Sequence, residues 1–289
     1  MNHTMSPFLS KSLAANNKKR NKNIIINSFI YFVIAYYIVA FSANLFIVLL
    51  AKIVGFDAEF YFNGFRLSGK EWTVDTIIFL YFFGNLFSLF LAYFAHRKYR
   101  KQRRFRNKIN LLYLWMYILA MCWFFGELIV GAIFNTGMSS AFIAFQLPYF
   151  LRILMAFIGI FILIYSGYQV QKQVIISAHL YHTELQASEV KIFLSNQIFK
   201  PALLGLAVIF LLKLPHIGQY HYVDIITLLT IGFMIVGLFI RSKSEFSIRF
   251  KSRNGDFYEP DFSISKTLVI AVFMCLALLR ISFAGGISF

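Results

Sequence analysis

Charge is scarce in this sequence, and acid is scarcer than base. Charged residues fill 14% of the 289 positions, with 12 Asp and Glu against 28 Lys and Arg, where soluble domains carry about 25%. That scarcity argues against a water-soluble domain. The two cysteines, Cys122 and Cys275, both lie in hydrophobic runs with no CxxC spacing, which excludes a disulfide framework and a cysteine zinc site. No HExxH, GxxxxGK[ST] or GxSxG occurs, so metalloprotease, phosphate-loop and hydrolase-elbow chemistry have no foothold. No loop is long enough to fold as a catalytic domain, and no cofactor is expected. No two glycines stand four apart, so helices must pack through other small residues than a GxxxG pair. Of the five prolines, Pro148, Pro201 and Pro215 read as helix ends, leaving none of the mid-helix interruptions that often mark transporter sites.

What is present is apolar and aromatic. Hydrophobic residues make up 59% of the chain, including 36 Phe and 16 Tyr, and they come in long blocks divided by charged loops. Crossing a bilayer takes about 20 apolar residues, and seven blocks meet or approach this: 25–51, 74–95, 110–134, 149–171, 199–214, 223–240 and 267–283. The fifth is the shortest. The first is too long for a secretory signal core and reads as a retained crossing. The expected fold is all-α, a polytopic transmembrane bundle of about seven helices in one domain (24–289). A basic tail (1–23) without structure precedes it.

Basic residues resist translocation, so loop charge sets orientation. With the N-terminus inside, the inner segments 1–23, 96–109, 172–200 and 241–266 hold 22 of the 28 Lys and Arg. The C-terminus then lies outside and the expected location is the cytoplasmic membrane. The net charge of +16 therefore flanks the membrane and gives no reason to expect nucleic acid. The run His96, Arg97, Lys98, Arg100, Lys101, Arg103, Arg104, Arg106, Lys108 is suited to anionic lipid headgroups at the inner leaflet.

Residues 172–198 place Ile176, Leu180, Ala187, Val190 and Leu194 at helical spacing, predicting an amphipathic inner helix. On its polar side His179, His182 and Glu189 are a candidate metal set. A second group, His216, His221 and Asp224, falls on an outer turn and reads as solvated loop residues.

The most informative residue is Glu127, about seven residues or roughly 10 Å from the outer end of its block. A carboxylate at that depth is costly and is a functional hypothesis by default. Arg152, Lys213 and Arg280 lie near outer helix ends. With Glu127 they form a candidate polar layer for a small anionic or lipid-like ligand. The competing reading is a structural ion pair with cations that snorkel to the interface.

Around Gly84, Asn85, Gly126, Glu127 and Gly131, residues 73–215 resemble certain uncharacterised bacterial multi-pass membrane proteins that are reminiscent of site-2 protease scaffolds. That family holds zinc with HExxH on one membrane helix and an Asp on another. The first block here has no histidine, so neither ligands nor base carry over, and the resemblance implies a non-catalytic relative. Three functions remain open: a non-enzymatic transporter-like or accessory protein, a membrane-embedded enzyme, and a structural subunit with a membrane-protein partner.

Overall fold

The computed structural model describes residues 7–62, 64–103, 105, 107–135, 137–213, 221–240, 248–250, 263–264 and 266–288. Helix α1 spans Pro7–Val54, 48 residues, or about 72 Å at 1.5 Å per residue. Nothing between its ends interrupts a helix. Pro7 sits where its missing N–H costs nothing, and no other Pro or Gly follows until Gly55. There φ turns to +91°, and Gly55 and Phe56 donate to the Lys52 and Ala51 carbonyls at 3.0 Å, the glycine-terminated double bond that closes many helices. The tail expected to lack structure is therefore helical from residue 7 onward: Ala, Lys and Arg are good helix formers and a helix already nucleated by its apolar part extends one hydrogen bond per residue, which outweighs the poorer Asn positions.

Next come strands β1 (Asp57–Tyr61) and β2 (Gly64–Ser68), an antiparallel hairpin. Helix α2 (Val74–Gln102) follows, opened by Thr73 and Thr76 capping each other and widened by a π turn at Phe79–Phe83. Helix α3 (Ile109–Phe134) ends at left-handed Asn135. The short α4 (Met138–Ala144) and long α5 (Tyr149–Ser177) follow. After a 3-10 turn at Ala178–Leu180 come β3 (Glu184–Leu185) and α6 (Ala187–Lys213). Helices α7 (His221–Leu229) and α8 (Ile231–Ile240), strand β4 (Ile248–Arg249), helix α9 (Lys266–Ser282) and strand β5 (Ile287–Ser288) complete the chain.

Among the described residues two small sheets mark the two ends of this helical bundle. At one end β5 pairs with β1, Phe60 opposite Ile287, which brings the C-terminal strand onto the hairpin. At the other end β3 pairs with β4, Glu184 opposite Arg249. There Lys108 Nζ also donates to the Ser263 carbonyl at 2.7 Å. We call these the hairpin end and the basic end.

The inner stretch 172–198 is not one helix, contrary to its periodicity. The Tyr181 and His182 amides fold back onto the Ala178 carbonyl at 2.9 and 2.8 Å, and the Thr183 carbonyl accepts from Phe250 at 2.9 Å. Backbone groups needed to continue the helix are thus used by a turn and a strand, and the apolar stripe is split between α5 and α6. The fifth apolar block is correspondingly part of a longer helix than expected, 27 residues rather than a short segment. Pro201 lies inside it, where it lacks the N–H that would reach the Gln197 carbonyl. A π turn at Ser195–Phe199 accommodates the ring, and Ser28 Oγ donates to that carbonyl at 2.5 Å instead.

Among the described residues five helices are long and apolar enough to cross a membrane, and residues 225–240 form a shorter apolar helix. Helix α3 is the hub, with 72% of its apolar window buried, against 28% for α2 and α5. Those two turn large apolar side chains outward, among them Phe90, Tyr93, Phe157 and Phe161. Inside, Trp115 meets Phe32 edge to face at 4.9 Å. Buried aromatic and aliphatic groups of α1, α3, α5 and α6 form one continuous cluster.

Candidate functional site

At the hairpin end Glu127 is buried, 7% exposed. Gly126 beside it lets α7 approach: a Cβ there would meet Thr227 and Thr230 side-chain atoms under 3.0 Å away. The approach lets Thr227 Oγ1 donate to Glu127 Oε1 at 3.5 Å. The other oxygen is covered by Gly137, whose φ of +55° and whose space both require glycine; a Cβ would lie 2.3 Å from Oε2. Arg152 Nη1 donates to Asn135 Oδ1 at 2.6 Å, with its guanidinium 5.4 Å from the centre of the Tyr149 ring.

Lys213, the last residue of α6, is 3% exposed. It lines a cavity of about 10 Å³ with Tyr36, Tyr37, Ala40, Phe41 and Asn44 of α1 and with Phe60 and Phe62 of the hairpin. Arg280 lies close enough to Tyr37 to act on it electrostatically. The four candidates therefore divide: Glu127 and Arg152 gather about the α3–α4 turn, whereas Lys213 and Arg280 gather about Tyr37. Nothing in the sequence singles out Tyr37 from the other tyrosines, or Thr227 from the other threonines.

At the basic end the candidate metal set is dispersed. Glu189 Oε1 is 3.6 Å from Arg20 Nη2. His179 Nδ1 is 2.6 Å from the Ile176 carbonyl, and the His182 ring stands edge to face against Phe193 at 5.6 Å. Among the described residues no three His, Cys, Asp or Glu side chains gather as a metal site requires. The turn at 181–186, which replaces the expected helix, is what separates them. Burial, with a smaller contribution from the Arg20 charge, lowers the His182 pKa to about 4.

One buried chain of hydrogen bonds joins three helices here. Trp115 Nε1 donates to Ser28 Oγ at 2.9 Å, and Ser28 Oγ donates to the carbonyl beside Pro201. Ser28 is fully buried. Ser28→Ala should therefore lower unfolding stability by about 2 kcal/mol, since it deprives an indole N–H and a carbonyl of their partner in a site closed to water. The thermal midpoint in detergent measures this, with Ser42→Ala, on a partly exposed position of the same helix, as the control.

In the basic loop Arg97, Lys98, Arg100 and Lys101 are exposed; Arg104 and Arg106 lie outside the described residues. So does His216, and the side chains of His221 and Asp224 are outside the description as well. No protein-family model, curated protein or solved structure matches the chain.

Proposed function

We propose that this chain is a seven-crossing protein of a cytoplasmic membrane, N-terminus inside and C-terminus outside. Its working part is the polar layer at the hairpin end, which receives a small ligand from the outer face in a transporter-like or accessory role, without chemistry of its own. The observation that carries this reading is the burial of two ionisable side chains, Glu127 at 7% and Lys213 at 3% exposed, within helices of crossing length. An ionisable side chain at such depth is a functional-site hypothesis by default. The two sheets support the orientation. Pairing of β1 with β5 requires the hairpin and the C-terminus on one face, and pairing of β3 with β4 requires residues 184 and 249 on one face. The basic loop 96–109 then rests on anionic headgroups of the inner leaflet, each exposed Lys or Arg contributing ~1 kcal/mol.

The test is thiol labelling by a membrane-impermeant reagent in whole cells, with Cys122 and Cys275 replaced. Single cysteines at Lys70, Asn44 and Ser288 should label from outside, and cysteines at Lys101 and Lys266 only after permeabilisation. Labelling at Lys101 in intact cells would overturn the orientation. A cysteine at Asn44 that stays unlabelled on both sides would overturn an outward-opening site.

A further inference from the structure

We propose that a phospholipid with an anionic headgroup occupies the seam between α2 and α5, its acyl chain lying along α3. The proposal rests on the reading that the basic end meets anionic headgroups and gives that contact one place. The seam shows first in burial. Helix α3 packs against both α2 and α5, and between Leu114 and Ala132 every residue of it is buried except Tyr117, Met121 and Phe125. These three stand four residues apart, so they form a single line about 12 Å long on one face of the hub helix.

The walls follow from the contacts at the two ends of that line. At the basic end the Tyr117 ring lies 5.0 Å from that of His96 on α2, and its hydroxyl is within hydrogen-bonding reach of Ser166 on α5. Gln173 Nε2 of α5 stands 3.4 Å from His96 Nδ1, and the Tyr99 hydroxyl of α2 donates to the Gln173 carbonyl at 2.6 Å. At the other end Phe125, Leu89 of α2 and Met155 of α5 all pack on one apolar cluster. One tyrosine side chain thus bridges the walls. A helix, about 10 Å across, is too wide to enter between them; an acyl chain is not.

Charge identifies the headgroup. At the ideal 100° per residue Arg100 and Arg103 lie about 40° and about 20° from His96 around α2, and both act on it electrostatically. Lys98 and Lys101 lie about 160° and about 140° from it, toward the opposite side. Lys172, exposed on α5, adjoins Gln173. From the basic end inward the seam presents cations, then hydrogen-bonding groups at His96, Gln173 and Tyr117, then the apolar Met121 and Phe125. A phospholipid presents phosphate, ester oxygens and hydrocarbon in the same order. Basic pockets between membrane helices on the inner side hold anionic headgroups in this way.

The experiment titrates the purified full-length protein in neutral detergent with dioleoyl phosphatidylglycerol or dioleoyl phosphatidylcholine at fixed ionic strength and follows the thermal midpoint. The expected result is a rise that saturates with the anionic lipid and needs at least tenfold more of the zwitterionic one. Arg100→Gln with Arg103→Gln should weaken the apparent affinity for the anionic lipid at least tenfold. Lys98→Gln with Lys101→Gln, the same loss of charge on the other side of the helix, should leave it within twofold. Met121→Trp keeps every charge, fills the seam and should abolish the saturable rise. Equal losses in the two charge pairs would overturn the proposal, since the attraction would then be to the loop as a whole. So would a wild-type midpoint indifferent to the anionic lipid, a result that needs no variant to fold. A dimer in light scattering that Met121→Trp dissociates would give the seam to a second copy and overturn the lipid. Labelling at Lys101 in intact cells defeats the orientation of the basic end whatever the titration shows, whereas the charge-pair comparison defeats the seam and leaves the orientation standing.

Discussion

Gly167→Val is expected to destroy the contact between α5 and α8 and to remove most of the protein from the membrane fraction. A Cβ at Gly167 would lie 1.9 Å from the Met234 carbonyl oxygen, and one at Gly237 would lie 1.9 Å from the Ile164 carbonyl oxygen. The contact is reciprocal, and on each side the obstacle is backbone, which cannot rotate away as a flexible side chain can. The helices must separate to admit even a methyl group, and α8 has only 10 residues with which to hold its place. Overpacking typically costs about 1–3 kcal/mol and more where, as here, the obstacle is backbone, a large part of the 5–15 kcal/mol that a typical domain has in total. Gly237→Val should do the same. Gly232, on the same helix, has open space where its Cβ would be, so Gly232→Ala should be tolerated or slightly stabilising by helix propensity. Quantitative immunoblotting of membranes, followed by thermal midpoints of whatever can be purified, separates the outcomes. Survival of Gly167→Val at wild-type abundance would mean that the two helices do not touch as described.

The long helices were legible because length and hydropathy alone decide whether a segment can span an apolar layer. Helices α1, α2, α3 and α5 each contain the block expected for them. The errors share one cause: a hydropathy pattern registers polarity but not the partner that makes it tolerable. Ser195, Asn196 and Gln197 read as inner-surface residues, yet Asn196 and Gln197 are at most 1% exposed, inside a helix packed by protein. Pro201 likewise read as a helix end, because the sequence does not show that Ser28, 169 residues before Gln197, supplies the missing donor to the Gln197 carbonyl. The hairpin is not foreseen although Asn63-Gly64 between alternating apolar residues is a hairpin signal; its strands are five residues each, short beside the long apolar helices that flank them.

The candidate site was half legible in the same way. Depth marked Glu127 and Lys213, since an ionisable residue inside a hydrophobic block is visible in one dimension. Their neighbours are not. Thr227 lies 100 residues from Glu127, and Tyr37 reaches Lys213 only because α1 and α6 pack together. The expected single polar layer is accordingly two neighbourhoods, one about Asn135 and Gly137 and one about Tyr37.

Acid should destabilise the protein through His182, and His182→Phe should remove that sensitivity. His182 is 4% exposed, and neither ring nitrogen has a hydrogen-bond partner. Phe193 from α6 lies across the ring, and Arg20 from α1 adds like charge. Glu189 offers no relief, because its carboxylate is engaged with Arg20. In the folded protein the ring stays neutral down to about pH 4, against an ordinary 6.5. The unfolded chain, by contrast, binds the proton as pH falls through 6.5. Stability is therefore at its maximum above pH 6.5, declines between 6.5 and about 4, and declines no further through this group below that. The gap corresponds to about 3 kcal/mol. Thermal midpoints of wild type and His182→Phe across pH 7.5 to 4 isolate the effect, because every other titrating group is common to both. The curves should meet or favour the variant at neutral pH, where an apolar ring replaces two unsatisfied nitrogens, and should diverge as pH falls, with wild type the less stable. Parallel curves would mean that His182 gains a proton or a partner in the folded state, and that the basic end is more open to water than its burial implies.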